Sequence, residues 1–93
     1  MDTTGYVVES YLPRPVGRLV AELSRRARVA VEEMAREGTP ISFRGAVLLP
    51  DDETCFCLYE ASSAEVVAEA SRRADIPVDR VMRAQTESGA STP

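Results

Sequence analysis

"ISFRGAVLLPDDETCFCLYEA", residues 41–61, holds two runs rich in branched and aromatic residues, Ile41 to Leu49 and Thr54 to Glu60, separated only by "PDDE". Runs of that composition favour strands, and a connection that short joins them as an antiparallel hairpin. Asp51, Asp52 and Glu53 could gather oxygens around a hard cation, but they lack the spacing of a calcium loop. A turn whose Asp side chains accept their own backbone hydrogens accounts for them.

Outward from the hairpin, the flanks read as helices. Before it, Val20, Leu23, Ala27, Ala30, Val31 and Met34 recur at three- and four-residue spacings, giving one apolar stripe from Val16 to about Glu37, with Arg18, Arg25, Glu32 and Arg36 facing water. Gly38 supplies the left-handed residue that closes this helix and Pro40 stops its continuation. "RRAR", residues 25–28, reads as a solvated face in which Arg18 pairs with Glu22 and Arg28 with Glu32. After the hairpin, Ser62 and Glu65 form an S-x-x-E capping box that opens a helix through about Ala74, with Val66, Val67, Ala70 and Ala74 inward; Pro77 stops it.

At the ends, "GYVVESY", residues 5–11, is a strand halted by the prolines of "LPRP", and "DRVMRAQ", residues 79–85, is a last short strand. The order β-α-β-β-α-β is the ferredoxin-like α+β arrangement: a four-stranded antiparallel sheet with two helices on one face. Residues 1–85 make one domain and residues 86–93, with nothing to bury, a disordered tail.

Composition narrows the function. Eleven basic against fifteen acidic residues leave a net charge of −4, the wrong sign for neutralising phosphates or an anionic membrane surface, so neither nucleic acid nor membrane is an expected partner. No run matches the roughly 18 apolar residues of a spanning helix, and the N-terminal stretch lacks a basic leader and long apolar segment, so a cytoplasmic setting is expected. Cys55 and Cys57, one residue apart on a strand, have Cβ atoms about 6.6 Å apart, too far for the roughly 3.8 Å of a disulfide.

Strand alternation then sorts the faces. Phe56 and Leu58 group with Tyr6 and Val8 beneath the helices; Val7, Glu9, Tyr11, Cys55, Cys57 and Tyr59, joined by Phe43, Gly45 and Val47, form the open face. An apolar patch of that size predicts a homodimer closed through this face as an α+β barrel.

Four pieces, "YVVESYLPR", "FRGAVLLPDDETCFCLYEASS", "AEVVAEASRRA" and "IPVDRV", together resemble a family of small actinobacterial-type ferredoxin-like proteins whose characterised member binds nickel. Within that resemblance Phe43 matches the aromatic of an aromatic-x-His in the second strand, while Gly45 and Ala70 stand where members carry histidines. Cys57 and the "LYEA" after it match, and the chain has no histidine at all. The resemblance implies nickel or another soft divalent metal.

Two functions follow as expectations. The first is a cytoplasmic dimeric binding protein that holds a small apolar ligand beside Glu9, Tyr11, Phe43, Gly45 and Tyr59, or a soft metal at Cys55 and Cys57, on the open face. The alternative is a cofactor-independent isomerase, cyclase or oxygenase acting on an apolar substrate in the same space, with Glu9 as base and Tyr11 or Tyr59 as proton donor. Without histidine there is no Ser-His or Cys-His pair, and no glycine motif cradles a phosphate.

Overall fold

The computed structural model describes residues 3–13 and 17–85. The expected tail, residues 86–93, lies outside them, as do Val16 and the Arg18 side chain. The chain runs β1 (Thr4–Tyr11), α1 (Gly17–Arg36), β2 (Ile41–Leu49), a 3-10 turn (Pro50–Asp52), β3 (Thr54–Ala61), α2 (Ala64–Arg73) and β4 (Arg80–Ala84). The sheet order is β2-β3-β1-β4, antiparallel throughout, with both helices against one side, as the element order predicts.

α1 turns Leu23, Ala27, Ala30, Val31 and Met34 into the core, the stripe its periodicity marks. It ends at Gly38, whose φ of 94° only glycine tolerates freely, with the amide of Thr39 donating to the Met34 carbonyl at 3.0 Å. The α2 cap is Ser63, one residue later than the capping box indicates, and its hydroxyl accepts from the Val66 amide at 3.3 Å.

The two helices are clamped outside the core by Arg73, whose guanidinium reaches Glu33 at 2.7 Å and Glu37 at 2.9 Å on α1, and Glu69 at 2.8 Å on its own helix. Arg26 of α1 donates to the Ala74 carbonyl at 2.7 Å and the Asp75 carbonyl at 3.1 Å, satisfying the orphan carbonyls at the end of α2. Arg25 pairs with Glu22, but Arg28 does not join Glu32 as its spacing suggests. It lies instead over the Phe43 ring, 5.4 Å from the centroid, where cation–π attraction competes with a weak exposed ion pair.

The hairpin turn also differs from its expected form. No Asp side chain caps it; Glu53 takes the left-handed conformation (φ 50°, ψ 40°) and its amide donates to the Pro50 carbonyl. The Thr54 hydroxyl donates to the Asp52 carbonyl at 2.8 Å, and the Leu12 amide to the Glu53 carbonyl at 2.7 Å, so the turn is tied to the end of β1. Among the described residues no helix is long and apolar enough to cross a membrane.

Candidate functional site

Register decides which side chains share a face. In β1 and β3, Tyr6 pairs with Tyr59, Val8 with Cys57 and Ser10 with Cys55. All six are buried, so they form the layer beneath the helices. The alternate pairs, Val7 with Leu58 and Glu9 with Phe56, face away from the helices. Cys55, Cys57 and Tyr59 therefore do not lie on the open face, contrary to expectation; Phe56 and Leu58 take their place there. The reason is steric and electrostatic. Cysteine and alanine let α2 settle close to β3 through its own small residues Val67, Ala70 and Ser71, all fully buried. The opposite parity would force Glu60, the residue after Tyr59, into the covered layer as a buried charge.

Phe43 is the second correction. It pairs with Tyr59, packs against the core and meets the Tyr59 ring edge-on at 5.3 Å. A β-bulge follows between Phe43 and Gly45, where one extra residue, Arg44, reverses the alternation. Gly45 (φ 130°) then pairs with Leu58 and Val47 with Phe56, on the open face where they are expected, while Ala46 and Leu48 pack on the core.

The expected site thus divides between two environments. On the open face stand Val7, Phe56, Leu58 and Met82, half-buried, with Val47 49% and Leu49 40% exposed. Glu9 stays on this face, held by Arg80 on β4 at 3.3 Å. Tyr11 also stays, but at the rim: it is 54% exposed and its hydroxyl donates to Glu53 at 3.0 Å, which pushes its phenol above the ordinary value. A groove of about 210 Å³ runs across the face between Gly5, Val7, Arg44, Leu58, Glu60 and Ala84. Arg44, Phe56, Leu58, Arg80 and Met82 are residues that sequence reasoning missed. The charge of Glu60 was the signal for the correct parity of β3, while the bulge at Arg44 has no counterpart in hydrophobic pattern.

Beneath the helices, Cys55 and Cys57 are free thiols at 0% exposure. The hydrogen bond from the Cys57 thiol draws Cys55 down to about 7, because it favours a thiolate there. The same bond pushes Cys57 far up, with burial adding to it. Burial also raises the Tyr59 phenol, and the neighbouring Cys57 adds to the rise. The Tyr59 hydroxyl is sealed from solvent, and Ser71, which holds that rise back, is the polar side chain beside it. Its neighbour Ser71 gives its own proton to the Val67 carbonyl at 3.0 Å, and Ser10 donates to the Pro77 carbonyl at 2.5 Å. Of the three groups suited to acid–base work, Tyr59 lies under the helices, across the sheet from Glu9 and Tyr11.

Comparison with known proteins agrees with the architecture. A family model described as nickel responsive protein SCO4226-like matches residues 6–83. The crystal structure of SCO4226 from Streptomyces coelicolor A3(2) superposes with a TM-score of 0.69 at 21% sequence identity, covering 90% of this chain and 99% of that one. No curated protein matches.

Proposed function

Because the chain belongs to the SCO4226-like family of nickel-responsive proteins, we propose that it is a dimeric binding protein, which encloses a small apolar ligand between two copies of its bare sheet face. The observation that carries this reading is the composition of that face. Val7, Phe56, Leu58 and Met82 form an apolar centre with no helix over it, and Val47 and Leu49 extend it at 49% and 40% exposure. Monomers seldom leave such a patch in water.

A second copy is the occupant the face fits. Four strands about 4.8 Å apart, three of them about 27 Å or longer and the five-residue β4 about 17 Å, offer roughly 500 Å² of surface, so two copies cover about 1,000 Å², the lower bound for a specific interface. The rim carries both signs of charge, Glu9 and Glu60 against Arg44 and Arg80. A two-fold docking can then set the acids of one copy near the bases of the other. The groove beside Leu58 and Val7, about 210 Å³, becomes an enclosed space once covered, suited to a small apolar molecule. A cytoplasmic setting belongs to the same proposal.

Nickel does not fit the donors present. The chain has no histidine, and among the described residues no group of three or more His, Cys, Asp or Glu side chains could hold a metal ion. Of the two positions where the family resemblance places histidines, Ala70 is fully buried on the inner face of α2, and Gly45, at φ 130°, holds a conformation that strains any side chain although a Cβ there would meet nothing within 4 Å. Both thiols lie on the other side of the sheet from the proposed pocket. The enzyme reading finds no support in the separation of Glu9, Tyr11 and Tyr59.

Native mass spectrometry of protein purified without an affinity tag tests the proposal. The expected species is a dimer that carries a small organic mass and loses it in Leu58→Glu. A bare monomer, or a dimer with nickel in place of an organic ligand, contradicts it.

A further inference from the structure

The charged side chains of the bare face are not alike. Glu9 and Arg80 answer each other at 3.3 Å. Arg44 and Glu60 both line the groove of about 210 Å³, yet neither has an ion pair or a side-chain hydrogen bond among the described residues. We propose that this groove takes a small zwitterion with an apolar tail, an aliphatic α-amino acid, with its carboxylate on Arg44 and its ammonium on Glu60. The inference rests on the apolar-ligand reading given above and supplies that ligand with a head group.

Register sets the two charges beside one another without letting them close. Glu60 pairs with Ser42, and Arg44 stands two residues further along β2 as the extra residue of the bulge, with nothing directly opposite it on β3. Diagonal neighbours of this kind are about 7–8 Å apart. An α-amino acid holds both complementary charges next to a single carbon, so one molecule reaches both groups. Arginine presents a planar fork that matches a carboxylate, and a carboxylate accepts the hydrogens of an ammonium.

Between the two charges the floor is low. Gly5 pairs with Glu60 on one side and Ala84 on the other, and a Cβ at Gly5 would come 2.6 Å from the Ala84 carbonyl oxygen, so the surface there stays at backbone height. Val7 and Leu58, paired with each other and half-buried, give the tail an apolar wall. A groove of this volume is smaller than the roughly 300–1,000 Å³ of drug-sized pockets, so its guest is small.

Neutrality decides between head groups. A monoanion on Arg44 leaves Glu60 unanswered and is repelled by it, and a monocation on Glu60 meets the same objection from Arg44. When a second copy covers the face, both groups lose water, and a desolvated charge without a partner carries a heavy penalty. The zwitterion answers both and adds no net charge.

Calorimetric titration of the full chain, with its oligomeric state read by sedimentation in parallel, tests the proposal with four probes that share one branched tail: L-leucine, isocaproate, isoamylamine and isoamyl alcohol. Leucine should bind roughly tenfold or more tightly than either singly charged analogue, the worth of one charged hydrogen bond. Glu60→Gln should weaken leucine several-fold while strengthening isocaproate, and Arg44→Met should weaken leucine while strengthening isoamylamine. A merely structural role would weaken every probe alike. Isoamyl alcohol bound as tightly as leucine overturns the zwitterion and leaves the apolar-ligand reading standing, as does isocaproate bound equally by the wild type and Glu60→Gln. A dimer that binds none of the four also overturns it, with Arg44 and Glu60 then paired between copies. A monomer that binds none overturns both readings.

Discussion

The two faces of the sheet come from the same strands and both carry apolar side chains, yet they have opposite fates. Under the helices, β3 contributes Cys55, Cys57, Tyr59 and Ala61, and β1 contributes Tyr6, Val8 and Ser10, all buried. On the other side the same strands present Phe56, Leu58, Val7 and Glu9, partly open to water. Of the bulky side chains of β3, Phe56 and Leu58 are thus on the uncovered face and only Tyr59 is on the covered one. Hydrophobicity alone does not select the covered side. Helices need a close approach, which small residues allow, and they exclude unpaired charge, which Glu9 and Glu60 would bring. A bare face can keep bulk and charge together because another protein surface, rather than a helix of the same chain, is its partner.

The adjacent valines of β1 offer the sharpest way to break this contrast. Val8 is fully buried and Val7 half-buried on opposite faces. Val8→Glu places an uncompensated charge beneath the helices and is expected to cost roughly 4 kcal/mol or more, a large share of the 5–15 kcal/mol of a typical domain. Val7→Glu is expected to change the stability of the single chain by less than about 1 kcal/mol while dispersing the dimer. Urea titration of the two variants reads the difference, and equal losses would show that the faces are misassigned.

Acid probes the covered side more gently, through the clamp over its helices. Hydrogen bonds from Arg72, then Arg73, hold the Glu69 carboxyl down at about 2, and Arg73 likewise lowers Glu37. Depressed carboxyl groups stabilise the fold above their unfolded value near 4.5 and lose that contribution as pH falls toward about 2. The thermal midpoint should therefore drop across that window, with a flatter profile in Arg73→Met. An unchanged slope in the variant would remove Arg73 from the clamp.

Tyr59→Phe has the smallest expected effect. It removes a buried hydroxyl whose neighbour Ser71 has given its own proton to a carbonyl, so it should change the stability of the chain by no more than about 1 kcal/mol. A clear loss of stability would mean that the hydroxyl is bonded.

Much of this architecture is legible before any coordinates. The period of α1, the glycine that closes it and the four-residue gap in the hairpin fix element type and order because each is a local signal. Tyr6, Val8, Val7 and Glu9 also sort correctly, since the charge of Glu9 marks its face. The parity of β3 is harder: Cys55, Cys57 and Tyr59 differ little in hydropathy from Phe56 and Leu58, and size and the charge of Glu60 decide what hydropathy does not. Phe43 could not be placed by alternation at all, because the bulge at Arg44 inserts one residue into the count. The site inherits those two errors, which is why Glu9 and Tyr11 remain on the open face while Phe43, Cys55, Cys57 and Tyr59 leave it.

Sedimentation equilibrium of the wild-type chain and Leu58→Glu at micromolar concentration tests most directly whether a second copy covers the bare face. The wild type should sediment at twice the 10.1 kDa chain mass and the variant, still folded, at 10.1 kDa. A wild type that sediments as a single 10.1 kDa chain contradicts the account.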